Sequence, residues 1–242
     1  MSDFAVVIPA RFASVRLPGK PLRDILGKPM IQHVYERAIA SSAVEVVIAT
    51  DDRRIADVAE GFGATVCMTS AKHNSGSERI AEVCDRLGWS DDRVVVNLQG
   101  DEPTMPPELI DQCAALLDDP SADIGTLASP IASREDLDNP NVVKAVADAA
   151  GNAIYFRRAL VSPDDAAVAL HHHGIYAYRC GVLRRLVAAE PCDLELSERL
   201  EQLRALHLGM TIRIAMPVVR PGAGVDTEQD LAQAARSLRL RT

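Results

Sequence analysis

Three cations stand within ten residues in the stretch IPARFASVRLPGKPL: Arg11, Arg16 and Lys20. Charged donors beside Gly19, where the backbone permits close approach, suit a phosphate group. Pro18 and Pro21 stiffen the run and reduce the entropy lost when an anion is gripped. The loop fits neither common phosphate pattern. No Gly lies five residues before Gly19, Pro21 stands where a P-loop needs Ser or Thr, and no G-x-G-x-x-G follows. A solvated basic loop is the plain alternative, but so many charges beside a strand end favour an anion site.

Two carboxylates complement that loop. In QGDEP, Asp101 follows an apolar run and Gly100, where it can reach a Mg²⁺ that also holds phosphate oxygens, or simply make a turn. Asp226 in PGAGVDT is the second candidate, with a helix N-cap as its alternative. KHNSGSERI is a polar turn opening a helix whose N–H groups can meet a carbonyl or phosphate, although Ser75 and Glu78 also have the spacing of a capping box. In HHHGIYAYR a period of two puts His172, Gly174, Tyr176 and Tyr178 on one face. Adjacent histidines on a strand point to opposite sides, so His172 paired with Tyr176 over a polar pocket is a better reading than a three-histidine metal site.

The elements needed to position these groups alternate between short β-rich runs and longer stretches of helical period, as in βαβ units around a mainly parallel sheet. FAVVIP reads as the first strand, and a helix in GKPMIQHVYERAIAS follows, with Pro29 in its first turn and Ile31, Val34, Tyr35, Ala38 and Ile39 on one face. VEVVIAT and RVVVNLQ are strands. DDRRIADVAEGFG is a helix capped by Asp51 or Asp52, and SERIAEVCDRLG is another helix. VVKAVADAAGNAIYF reads as a hairpin around Gly151, and HGIYAYR as a further strand; residues from 131 to about 180 are expected to form an antiparallel insertion. ELSERLEQLRALHLG reads as a helix, TIRIAMPV as a strand and DTEQDLAQAARSL as a C-terminal helix capped by Asp226 or Thr227. In open parallel sheets ligands sit beyond the carboxyl ends of the strands, which singles out the loops after Pro9, Thr50 and Leu98.

With 242 residues the chain suits one α/β domain with a small elaboration. Its formal net charge of −8 argues against a nucleic-acid partner. No apolar run is long enough to span a membrane. The five cysteines are widely spaced and form no C-x-x-C pair, so a reducing cytoplasm is the expected setting.

Taken in order, IPARFASVRLPGKPL, KHNSGSERI, VNLQGDEP, NPNVVK, HHHGIYAYR, LEQLR and PGAGVDT resemble the 3-deoxy-manno-octulosonate cytidylyltransferases, from about Phe4 to Leu231. The resemblance implies a nucleotide-diphospho-sugar transferase fold in one domain and a homodimer. It implies CMP transfer from CTP to an eight-carbon sugar acid (KDO) with Mg²⁺, for lipopolysaccharide synthesis. It further implies that Arg11 and Lys20 contact the triphosphate, with Arg16 in the same loop and Asp101 beside it. Ala10 and the turn from His73 to Arg79, including Ser75 and Gly76, would meet the nucleoside. Asp101 and Asp226 would be the Mg²⁺ ligands, while Gln99, His172, Tyr176, Glu201 and Gln202 would hold the sugar acid.

The chain departs from the family pattern at Arg157, where Ser is usual, at His173, where an apolar residue is usual, at Ser77 in place of Thr, and in a shorter segment from Pro163 to Leu170. Related readings are a cytidylyltransferase for 8-amino-KDO or a sialic acid, or one for a polyol phosphate, to whose pattern SGSER and LEQLR do not belong. A non-catalytic nucleotide-binding module would be expected to lose Asp101 or Asp226, and a Rossmann dehydrogenase lacks its glycine fingerprint here.

Overall fold

The computed structural model describes residues 3–13, 17–131, 133–159 and 167–240. A nine-stranded sheet forms its centre, and along its main path the strands lie in the order β11-β7-β10-β6-β1-β4-β5. β1 is Phe4–Ala10, β4 Glu45–Thr50, β5 Thr65–Met68, β6 Val94–Asn97, β7 Ile124–Pro130, β10 Leu170–Arg179 and β11 Ile212–Ala215, while β2 (Asp24–Ile25) and β3 (Lys28–Pro29) pair antiparallel in a separate small sheet and a short helix, α5, spans Arg134–Asp138. β1 pairs in parallel with both β4 and β6, β4 with β5, and β7 with β11, whereas β10 runs antiparallel between β6 and β7.

These strands form because both faces of the sheet are covered. Val6, Ile8, Ile48 and Val96 face one side, where they meet α1 (Met30–Ile39) and α4 (Pro107–Ala115) through Ile31, Val34, Leu109 and Ile110. Val7, Val47, Ala49 and Val95 face the other, against α3 (Gly76–Arg86), α6 (Cys180–Ala188) and α8 (Gln202–His207). Continuous apolar runs such as VVIP and VVV are what doubly covered parallel strands require. Ile39, expected on the buried face of α1, is 53% exposed, since the helix ends there. Pro29 stands one position before that helix, in extended backbone, rather than inside its first turn.

The stretch expected as an insertion supplies β8 (Lys144–Ala147), β9 (Ala153–Arg157) and β10, all bonded into the same sheet. β8 pairs with β9 and with the start of β10, while Tyr176 to Arg179 run beside β6. The expected helix in ELSERLEQLRALHLG is divided into α7 (Asp193–Glu198) and α8, because Arg199 adopts a left-handed backbone with φ of 56°. A third apolar cluster joins Leu17, Ile25 and Met30 to Val225, Ala234 and Leu238, docking α9 (Glu228–Arg239) beside the loop that follows β1. α2 (Arg53–Gly61) is capped by Asp52, which accepts from the Arg54 N–H at 3.0 Å. No helix among the described residues is long and apolar enough to cross a membrane.

Candidate active site

The strand order reverses at β1: β4 and β5 extend to one side, and β6 begins the other. Helices on opposite faces diverge at such a point and leave a crevice beyond the strand ends. A cleft of about 780 Å³ lies there, lined by Pro9 and Ala10 from the end of β1, by Gln99, Gly100 and Asp101 after β6, and by the start of α3. Gly100 is required, since a Cβ would lie 2.8 Å from the Pro9 carbonyl oxygen.

Arg11 and Lys20 both line the cleft. Arg16 lies outside the described residues. Lys20 begins a 3-10 turn, Lys20–Leu22, after Gly19 at φ 64°. Its ammonium donates to Asp101 Oδ2 at 2.7 Å and to Asp226 Oδ1 at 2.8 Å. Burial works to lower the Lys20 pKa, but the two carboxylates outweigh it and the pKa is raised, so the group is held as a cation. Two carboxylates that reach one ammonium converge on one region. Mg²⁺ needs no more than one or two protein carboxylates where phosphate and water complete its shell. Among the described residues no three His, Cys, Asp or Glu side chains cluster as metal ligands. The donor set therefore fits Mg²⁺ bound together with phosphate better than an all-protein cage.

Asp226 is brought here because Thr227 caps α9 in its place. The Thr227 hydroxyl accepts from the Asp230 N–H, and the Asp230 carboxylate returns to the Thr227 N–H. The preceding loop crosses close over Thr104, where a Cβ at Gly222 would lie 2.6 Å from the Thr104 carbonyl oxygen. Beside it, burial together with the charges of Asp101 and Asp226 pushes the Glu102 carboxyl up to about 8, against the opposing pull of Lys20.

His73, Asn74, Ser75, Gly76 and Arg79 form another wall of the cleft. Ser75 caps α3 by accepting from the Glu78 N–H at 3.2 Å, whereas Glu78 accepts from Asn74 N–H rather than closing a capping box on Ser75. The His73 ring is clamped by Glu82, 2.5 Å from Nε2. Burial opposes ionisation of Glu82, but the Ser70 N–H, His73 and Arg86 prevail and hold its carboxyl at about 2. Arg79 is buried, with its guanidinium on the Thr69 hydroxyl and 3.4 Å from Asp51.

Gly76 and Gln99 also line a second, smaller cavity of about 180 Å³, with Asn97, Tyr176, Tyr178, Glu201 and Gln202 around it. Glu201 and Gln202 face it because Arg199 turns the chain between α7 and α8. Arg158 donates to the Glu198 and Arg199 carbonyls at that break, and Arg204 pairs with Glu195 at 2.5 Å. Ser77 donates to Glu201 Oε2. His172 lies behind this cavity rather than among its lining residues. Its ring packs on Tyr176 at 5.3 Å and edge-on to Phe156, with Nε2 at 3.1 Å from the Thr126 hydroxyl. Burial foremost, then the neighbouring His173 and His171, depress its pKa to about 3.

Asn97 and Tyr178 are not among the site residues the sequence points to, and Ser77 enters there only within the turn from His73 to Arg79, whereas all three line the smaller cavity. Asn97 left one signal, a polar residue in an apolar run, RVVVNLQ. Arg157 and His173, where the family pattern is broken, line neither cavity: Arg157 lies by the Tyr155 ring, and His173 is 3.0 Å from the Ser129 hydroxyl.

A sheet switch point bearing cations, converging carboxylates and an adjoining polar cavity defines a class of protein that holds a polyphosphate nucleotide beside a second polar molecule. Residues 5–212 match the family model described as cytidylyltransferase. A 3-deoxy-manno-octulosonate cytidylyltransferase of Thioalkalivibrio sulfidiphilus is 54% identical, over 98% of this chain and 99% of its own. One from Idiomarina loihiensis is 53% identical, over 96% and 97%. The solved structure of a CMP:2-keto-3-deoxy-manno-octonic acid synthetase complexed with CTP superposes with a TM-score of 0.91 at 40% identity, covering 100% of both chains. A 4-diphosphocytidyl-2C-methyl-D-erythritol synthase, at 16% identity and a TM-score of 0.68, shares the fold. The chain belongs to the 3-deoxy-manno-octulosonate cytidylyltransferases.

Proposed function

We infer that this enzyme transfers CMP from CTP to the anomeric hydroxyl of KDO, releasing pyrophosphate and activating the sugar acid for lipopolysaccharide synthesis. The observation that carries this reading is the wall of Gly76 and Gln99 shared by a cationic cleft of nucleotide size and a small polar cavity. Two substrates can meet across such a wall with their reacting atoms close, which is the main source of rate in a bimolecular transfer.

In the reaction the sugar hydroxyl attacks the α-phosphorus in line and the bond to pyrophosphate breaks. Negative charge grows on the phosphoryl and leaving oxygens, where Lys20 and Arg11 supply fixed positive charge. Asp101 and Asp226 would hold Mg²⁺, which when bound screens the triphosphate from the incoming carboxylate and acidifies the attacking hydroxyl. Tyr176, Glu201, Gln202 and Gln99 hold the sugar acid, and His172 fixes the Tyr176 ring from behind. No side chain is assigned as a dedicated base, since positioning and charge carry phosphoryl-type transfers. The resemblance alone carries the expectation of a homodimer in the cytoplasm.

The test is pyrophosphate release from CTP with KDO, 8-amino-KDO and N-acetylneuraminate in turn, with UTP and ATP as nucleotide controls and EDTA added last. CTP with KDO is expected to be fastest, and EDTA to stop it. Absence of release with every acid would sink the reading.

A further inference from the structure

We propose that Asn97 is a specificity-determining residue that, with Glu201, selects the sugar acid by its hydroxyl groups; this rests on the function proposed above. Asn97 is the last residue of β6, between Val7 of β1 and Tyr176 of β10, and is only 2% exposed. Its Oδ1 has no hydrogen-bond partner. Glu201 Oε1 is orphaned in the same way, while Oε2 of the same carboxylate is satisfied by Ser77. Both orphaned acceptors belong to side chains that line the 180 Å³ cavity.

A buried acceptor without a donor is unfavourable by the full desolvation of the group, and native proteins keep few of them. Two on side chains that line one small cavity point to what the occupant brings: a pair of hydroxyl donors. A neighbouring apolar strand residue would have filled the floor of this cavity without that penalty. Replacing Asn97 by an apolar side chain of similar size would therefore relax the selection while leaving the sheet intact. A site built to bond a hydroxyl rejects an analogue lacking it by far more than an apolar pocket rejects a missing methylene, because the protein group is left unpaired.

The experiment is steady-state kinetics of Asn97→Leu, with KDO and with a panel of its single-deoxy analogues, against the parent enzyme. The parent should lose about tenfold or more in kcat/KM with two of the analogues, one for each acceptor. Asn97→Leu should raise KM for KDO by about tenfold, leave KM for CTP within about twofold, and erase the penalty for one of those two analogues. An unchanged KM for KDO, or deoxy penalties equal in parent and variant, overturns the proposal. Should Asn97→Leu not fold, the deoxy panel on the parent decides alone, and a panel with no analogue reduced by more than about threefold overturns it. A parent that turns over none of the acids defeats the proposed function instead, and the role of Asn97 with it.

Discussion

Lys20 stands between Asp101 and Asp226, and its two ion pairs of 2.7 and 2.8 Å link residues far apart in sequence. Lys20→Met removes the cation but keeps most of the side-chain volume. Turnover should fall by about 10²–10³-fold, the size expected for one lost electrostatic stabiliser. Asp101 and Asp226 would then lose the ammonium they share, so Mg²⁺ should raise the melting temperature of Lys20→Met by more than that of the parent. Equal shifts in the two would show that the carboxylates do not share an ion. His172 gives a second prediction. Its pKa is about 3 in the fold against 6.5 in the unfolded chain, so between pH 6.5 and 3 it is the unfolded chain that takes up the proton. Its contribution to stability is complete above pH 6.5 and is lost progressively as pH falls toward 3. From pH 7 to pH 5, urea titrations of His172→Gln should lose about 2 kcal/mol less than the parent.

Among the elements, the break between α7 and α8 does most to shape the smaller cavity. A continuous helix through ELSERLEQLR would have sent Glu201 and Gln202 along a different face. Instead Arg199 accepts a left-handed backbone, which is unfavourable by about 1–2 kcal/mol for a side chain with a Cβ. The Glu195–Arg204 pair is almost wholly buried, and Arg204 also donates to the carbonyls of Leu186 and Ala189 at the end of α6. Arg204→Met would leave Glu195 as an uncompensated buried charge. Denaturant unfolding should show a loss of about 3–5 kcal/mol, with KM for the sugar acid rising more than KM for CTP. A loss below about 1 kcal/mol would mean that the break is held by other contacts.

At the scale of the molecule, the cleft is assembled from parts that fold against different cores. β1, β6 and α3 belong to the two faces of the sheet, whereas Asp226 stands just before α9, which docks through the small cluster of Leu17, Ile25 and Leu238. A ligand that touches Lys20 and Asp226 together should fasten that cluster to the sheet. CTP with Mg²⁺ is therefore expected to slow amide hydrogen exchange in residues 226–240, and CTP with EDTA to do so far less. Exchange that is unaffected by either would separate α9 from the nucleotide site.

Much of this was legible in the chain. Alternating periods in FAVVIP, VEVVIAT and SERIAEVCDRLG fixed the βαβ frame, because apolar periodicity is local and follows directly from which faces are covered. The cations of ARFASVRLPGK and the acids of QGDEP and GVDT were candidates by residue type, each with a plain alternative, and the fold brings Lys20, Asp101 and Asp226 together. Tertiary structure decided the rest. Whether Asp226 or Thr227 caps α9 was open in the sequence; the reciprocal bonds of Thr227 and Asp230 decide it, and Asp226 turns instead to Lys20 from the other end of the chain. The division of α7 from α8 was hidden because ELSERLEQLRALHLG has good helical period throughout. The interactions around its break come from Arg158, from the carbonyls of α6 and from a buried ion pair. Asn97 read as one polar residue in an apolar strand; its unpaired oxygen exists only where β6, β10 and α8 enclose a cavity. Local pattern specifies elements because it depends on neighbours in sequence, while a site depends on which distant groups are left facing one another.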